Sequence, residues 1–392
     1  MSLASSSNRK PSSKAAPTPE YIFRGHTDQI SVLKFYQNNK RLLSGDAEGN
    51  IIIWDMKIRR PLLKFKAHHE GILNISTWKD FLISQGRDNK IHVWNNESDV
   101  LINAASDPLK PMFSLTVNSL NFCQFSIFAQ ESENAKDLLI AVPNLTNSAG
   151  IDIWDLLNQQ RLIDGVGIDE NSGYCMSIRL FNKSDTENQY YILAAYENGN
   201  VVLWKIDCSS IYWTKCWTIK EHSESALSVD ISRDKTFAIS VSGDNKIIKY
   251  EFSESIEDPP IISQMKIKTP GISYVCIRSD SKIFATAGWD ARRVFFDEYN
   301  KNVRVFSAKN LKPLAILSYH NESVHALAFA ELLNLESDRN VKDTSKLANK
   351  DQNLEVCDSN NNLEDIANEQ QPKHHYLVAG GKDSRISLWE IY

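Results

Sequence analysis

No run of about eighteen consecutive apolar residues occurs anywhere in this chain, so no segment reads as a transmembrane helix. A basic excess is missing too. Lys and Arg number 44 against 49 Asp and Glu, for a net charge of -5 and a pI near 6. That balance argues against recognition of nucleic acid by a basic face. The six cysteines are scattered with no CxxC pair, a pattern of reduced intracellular thiols rather than of a disulfide frame or zinc site. Absent as well are GxxxxGK[ST], HExxH, GxSxG and a strand-borne GxGxxG. The turns "GDAEGN" and "GRDNK" lack the twelve-residue ligand series of a calcium loop. The pairs His68-His69 and His374-His375 have no further ligands at metal-binding spacing. The expectation is a non-enzyme with no cofactor and no metal. Residues 1–20, rich in Ser, Pro and Lys without an apolar stretch, do not form a secretory signal and read as a disordered tail.

What the chain does contain is a repeat. A small-residue turn carrying Asp, followed by apolar-x-apolar-Trp, ends at Trp54, Trp94, Trp154, Trp204 and Trp389. Tyr250 takes the aromatic place in "ISVSGDNKIIKYE" and Phe306 in "NVRVFS", making seven copies. Their spacings are 40, 60, 50, 46, 56 and 83 residues, the shortest fitting one four-stranded blade and the longer ones carrying insertions. Upstream, "RGHTDQISVLKF", "KAHHEGILNIST", "KEHSESALSVDI" and "SYHNESVHALAF" each set a His before an alternating strand. Phe306 and Trp54 both lie 14 residues before the next such His, His320 and His68. Phe296 competes for the sixth place, because Asp290 to Phe296 repeats the six-residue step from Asp383 to Trp389.

Repeated His…Asp…Trp resembles the WD40 family. The resemblance implies an all-β, seven-bladed propeller over residues 21–392, with His, a strand hydroxyl, Asp and Trp joined in a buried network within each blade. On this pattern the structural residues are His26, Trp54, Asp88, Trp94, Trp154, Trp204, His222, Asp244, Asp290, His320, Asp383 and Trp389. The second blade offers His68 or His69. At the Asp position the first blade has Glu48, the third Ser148 and the fourth Asn198, so those networks are expected to be incomplete. Each buried Trp contributes at most about 4–6 kcal/mol by area. The last copy supplies three strands and ends just past Trp389; the segment "EYIFRGH" is one strand long. Tyr21–Phe23 is expected to pair with the strand bearing Trp389 and close the ring.

Residues 332–373, polar and without aromatics, read as a flexible insertion in the last blade. "ARRVFFDEYNKN" (291–302) is an apolar-basic insertion in the sixth, either a binding patch or a hairpin packed on its own blade. "WDAR" (289–292) matches the box that WD40 substrate receptors present to a ubiquitin-ligase adaptor. It stands at the end of the second strand rather than the third, so Asp290 is taken as the turn Asp.

"FLISQGRDNKIHVW", "ILAAYENGNVVLW", "PGISYVCIRSDSKIFATAGWD" and "AGGKDSRISLWEIY" together resemble the ASTRA-associated WD-repeat proteins of fungi and their animal G-protein β-subunit-like relatives. The resemblance implies a nuclear, non-enzymatic scaffold of the ASTRA assembly. It links the chain to chromatin remodelling and to maturation of phosphatidylinositol-3-kinase-related kinases, with helical-repeat cochaperones as partners. No membrane and no direct nucleic-acid partner are expected. A G-protein γ subunit is disfavoured, since Pro11, Pro17 and Pro19 forbid the continuous N-terminal helix that would bind it. WD40 partners dock on the face of the d–a and b–c turns, which makes Arg87, Glu197, Trp289 and Lys382, with Phe295 of the insertion, the candidate partner-binding residues. The alternative is a substrate receptor or histone-peptide reader using the propeller face. A cryptic hydrolase is the third reading.

Overall fold

The computed structural model describes residues 17–96, 109–129, 138–168, 172–183, 189–268, 270–288, 303–332 and 375–391. Among these there is no helix. The strands form seven four-stranded antiparallel sheets, a seven-bladed β-propeller. Six blades take their strands consecutively from one stretch of chain; below, strands a to d run from the central channel outward. Trp289, Asp290, Phe295 and Phe296, and both insertions apart from Leu332, lie outside the described residues.

Burial explains the strand sequences. The b strands, such as Phe237–Ser242 and Leu138–Pro143, are buried on both faces between neighbouring blades and read as mainly apolar runs, interrupted in the first by Ser240 and Ser242. The d strands form the rim and alternate: in Arg60–Lys66 only Leu63 and Phe65 are buried. Seven apolar clusters fill the spaces between adjacent blades.

Aromatic residues occupy one register position on every c strand. Trp54 faces Leu42, Trp94 Leu82, Trp154 Ile140, Trp204 Ile192, Tyr250 Ala238, Phe306 Phe284 and Trp389 Leu377. Phe306, fully buried and stacked on Phe284 at 5.1 Å, therefore holds the sixth place.

Closure follows the expected pairing. The strand Tyr21–Arg24 pairs antiparallel with Arg385–Glu390, Tyr21 opposite Leu388 and Ile22 opposite Ser387. Phe65 from the rim of blade 1 meets Trp94 of blade 2 edge-on at 5.2 Å; Phe23 of the closing strand meets Trp54 the same way, also at 5.2 Å. The N-terminal strand thus supplies both the missing sheet edge and the missing aromatic contact, removing an exposed strand edge.

The His–Asp network corrects the sequence reading in blade 1, settles the open choice of histidine in blade 2, and leaves out two of the tryptophans read as part of it. In blade 1 the carboxylate is Asp46, two residues before Glu48: His26 Nδ1 lies 2.7 Å from Asp46 Oδ2, and Nε2 lies 2.6 Å from Ser44 Oγ. Trp54 Nε1 donates to the same hydroxyl at 2.7 Å. That blade's network is complete. Asp46 Oδ1 also accepts the backbone N–H of Glu48 and Asn50, so the carboxylate sits at the strand end and bridges the turn that Glu48 only occupies. In blade 2 the histidine is His68, bonded to Asp88 and Ser84, with Trp94 donating to Ser84; His69 contributes a backbone N–H to Asp88. Trp154 and Trp204 are not in such networks. Trp204 Nε1 donates to the Tyr196 hydroxyl at 3.2 Å, while Trp154 is half-buried with Arg161 over its ring at 5.9 Å. Buried Asp152 anchors blade 3, accepting Asn144 Nδ2 at 2.7 Å and Gly165 N–H at 2.9 Å.

Blade 5 keeps His222, Asp244 and Ser240, with the Tyr250 hydroxyl 2.9 Å from Ser240 in place of an indole. In blade 7 His320 bonds Asp383 and Ser387, and Trp389 donates to Ser387. Ser387 sits on strand c, directly opposite Ala379 of strand b. In the other three networks the hydroxyl comes from strand b, so either strand can bring it to the same point.

Candidate functional site

The inner strands carry a repeated irregularity. After the first residue of strand a, pairing with strand b slips by one residue in blades 1, 2, 4, 5, 6 and 7. Such a bulge re-aims one side chain. The re-aimed residues are Ser31, Leu73, Met176, Leu227, Ser273 and His325, and all six line one funnel of about 800 Å³ at the channel mouth on the side of the d–a loops. Blade 3, whose strand a is short, contributes Phe122 and Gln124 from its incoming loop instead. Bulges have no sequence signature here, and sequence reasoning missed the funnel.

Arg87 lies on this mouth, exposed, with its guanidinium 4.3 Å from the centre of the Phe122 ring. Glu197 and Lys382 hold the equivalent place in blades 4 and 7. Each of the three donates its backbone N–H to the loop before its own inner strand: Arg87 to Gly71, Glu197 to Tyr174 and Lys382 to Ser323, all at 2.8 Å. All three side chains are exposed on the same face. Arg87 and Glu197 flank blade 3, whereas Lys382 sits near His325 on another part of the rim. Trp289 and Phe295 lie outside the described residues.

Between Arg87 and Glu197 the loops of blades 2 to 4 expose large apolar side chains. Leu120 is 75% exposed, Phe122 57%, Tyr174 54%, Leu145 48% and Ile168 45%. The loops are tied to one another: Asn118 Nδ2 donates to Ser148 Oγ and the Asn144 carbonyl, both at 2.9 Å. The Cys175 N–H bonds the Ser148 carbonyl at 2.9 Å, and Asn121 Nδ2 the Cys175 carbonyl at 2.5 Å. Ile168 lies over Gly150, where an added Cβ would come within 2.5 Å of it. Exposed apolar side chains on loops held this firmly are the mark of an interaction surface.

The electrostatics elsewhere are those of structure. In the four complete networks burial alone would raise the carboxyls of Asp46, Asp88, Asp244 and Asp383. Hydrogen bonds led by the histidine outweigh it and hold each below the usual carboxylate range. His68, Asp88 and His92 offer ligand atoms within 4.8 Å of one another. Yet His68 spends both ring nitrogens on Asp88 and Ser84, and His92 Nδ1 bonds Ser114 Oγ at 2.6 Å. Burial, with the neighbouring His68, pulls His92 down to about 4, so it is neutral at pH 7. The cluster is part of the blade's fabric, and the five described cysteines are free thiols.

The family model for ASTRA-associated protein 1 matches residues 19–389. The chain belongs to that family. ASTRA-associated protein 1 of Aspergillus flavus is 31% identical over 96% of this chain and 97% of its own length. The Schizosaccharomyces pombe protein of the same name is 27% identical over 96% and 99%. The mouse guanine nucleotide-binding protein subunit beta-like protein 1 is 26% identical over 96% and 97%. Family membership thus spans the whole ring, including the closing strand and the apolar loops of blades 2 to 4.

Proposed function

We propose that this propeller is a non-catalytic scaffold subunit of an ASTRA-type assembly. Its partner docks on the face of the d–a loops over blades 2 to 4, with Phe122, Leu120 and Tyr174 as apolar anchors between Arg87 and Glu197. The carrying observation is that strongly exposed apolar side chains gather on one set of mutually hydrogen-bonded loops. The ASTRA connection draws on the names of the relatives. Work in the nucleus, in chromatin remodelling and in the maturation of phosphatidylinositol-3-kinase-related kinases alongside helical-repeat cochaperones extends the same reading. Nucleic acid, membrane and a γ subunit have no place in it.

The second reading, a histone-peptide reader, is favoured by the funnel at the channel mouth. A basic tail calls for an acidic ring, however, and the charged lining is Glu70 against Arg87, which is balanced. The test is affinity purification of the tagged protein with mass spectrometry, comparing wild type with Phe122→Asp and Leu120→Asp. Partner subunits should fall about tenfold or more, as for loss of an interface anchor, with an unchanged melting temperature. Undiminished recovery of the same partners with both variants would sink the docking face.

A further inference from the structure

The opposite end of the channel differs in chemistry from the funnel on the side of the d–a loops. The last residues of the inner strands and the turns after them enclose a vestibule of about 570 Å³. Its charged lining is Lys34, Arg179, Arg233 and Arg278 against Asp230 and Glu331. The four cations come from four blades and Glu331 from a fifth, so no local sequence pattern brings them together.

Most of the negative charge there is already committed. Asp230 Oδ1 accepts Arg179 Nε at 2.8 Å, and Oδ2 accepts the Ile277 N–H at 2.8 Å. Asp280 holds Arg278 through Nε at 3.0 Å and Nη2 at 2.6 Å. Arg278 Nη1 is left buried with no hydrogen-bond partner, on a side chain only 7% exposed. A buried guanidinium nitrogen without an acceptor is costly unless something else supplies one. Lys34 and Arg233 are exposed to solvent at this mouth and form no hydrogen bond or ion pair with the described residues. Glu331, whose carboxylate attracts Lys34 across the opening, is the one acid of the lining not taken up by a hydrogen bond. Lys34 touches channel water, but the surrounding protein lowers its pKa; Glu331 opposes this and Arg179 adds to it.

We propose that this vestibule binds a phosphate monoester dianion carried by a small molecule, with Lys34 and Arg233 as direct ligands and Arg179 and Arg278 as the charged wall behind them. A phosphoryl group brings about −1.5 to −2 charge and three acceptor oxygens. That suits several N–H donors lining one vestibule better than a single carboxylate does, and guanidinium groups recognise it well. A small carrier is favoured over a phosphorylated protein because Lys34 and Arg179 lie within strands Ile30–Tyr36 and Cys175–Phe181, inside the ring rather than on its loops. The site is remote from the docking face proposed above and stands or falls independently of it.

The experiment uses the full chain and calorimetric titration with inorganic phosphate, glycerol 2-phosphate and a phosphoserine peptide. Melting temperatures are followed against sodium chloride at equal ionic strength. Glycerol 2-phosphate should bind and raise the melting temperature beyond the chloride control. Lys34→Gln and Arg233→Gln, neither of which removes a hydrogen bond or ion pair among the described residues, should each weaken binding about tenfold, as for loss of a charge-assisted hydrogen bond. Stabilisation no greater than that by chloride would overturn the site. So would phosphate binding that both variants leave intact, since the anion would then bind elsewhere. Binding of the phosphoserine peptide without glycerol 2-phosphate would overturn the small-molecule assignment.

Discussion

Blades 1 and 2 and blades 3 and 4 solve the same packing problem by different means. In blades 1 and 2 a histidine, a serine, a tryptophan and a turn aspartate consume one another's hydrogen-bonding capacity. The indole N–H donates to the serine oxygen, the hydroxyl reaches Nε2, and Nδ1–H meets the carboxylate. The loops of these two blades turn polar and charged side chains outward, among them Glu48, Glu70 and Arg87. Blades 3 and 4 lack the histidine. Asp152, Asn144 and the Tyr196 hydroxyl take over the structural role in arrangements particular to each blade. Their loops are longer, joined side chain to backbone across blades, and carry the exposed apolar residues between Arg87 and Glu197. Where the repeat is most regular the sequence serves the fold. Where it degenerates, the freed loop positions hold exposed apolar residues, the ones proposed above as partner anchors.

The largest effect that probes this contrast is at the tryptophans. Trp54→Ala removes a fully buried indole and its bond to Ser44 and should cost about 3–5 kcal/mol in urea unfolding. Trp154→Ala, from a half-buried position outside any histidine network, should cost less than half as much. Equal losses would erase the distinction between the two kinds of blade.

Next comes the aspartate assignment in blade 1. Asp46→Ala leaves His26 and two turn N–H groups without their acceptor and should cost about 1–3 kcal/mol. Glu48→Ala, at the place the repeat pattern favours, should change stability by about 0.5 kcal/mol or less. The reverse order would restore Glu48 as the structural acid.

The smallest and most distributed effect is acid sensitivity. The four network carboxyls have folded pKa values below their ordinary values, so on acidification the unfolded chain takes up protons first. Their stabilisation is fully present above the unfolded value of about 3.9 and is lost as pH falls through the lower folded values. The urea midpoint of the wild type should therefore drop more steeply below about pH 4 than that of Asp46→Asn. Parallel profiles would mean that Asp46 carries no such linkage.

Much of the ring was legible in the chain because it depends on local spacing. A c-strand aromatic recurs because every blade interface needs one large side chain at one register position. Tyr250 and Phe306 could be recognised as substitutes on that ground. The closing strand was legible for a related reason: three strands at one end and one at the other add up to a blade. Asp46 was not, because the turn of blade 1 reaches its carboxylate from the strand end, and a fixed six-residue step to the aromatic points to Glu48 instead. Arg87, Glu197 and Lys382 were found as equivalent positions, but the apolar side chains between the first two were not. Leu120, Phe122, Leu145, Ile168 and Tyr174 are spread over 55 residues and follow no period.

By itself the sequence determined the number of blades, the aromatic frame and the way the ring closes, since the first two follow from alternation and spacing along the chain and the third from counting the strands left over at its two ends. Only the tertiary structure decided the funnel residues and the cationic vestibule at the other end of the channel. Those sites are assembled from side chains of several blades brought side by side by closure of the ring, and in the funnel they are turned inward by bulges that leave no mark in the sequence.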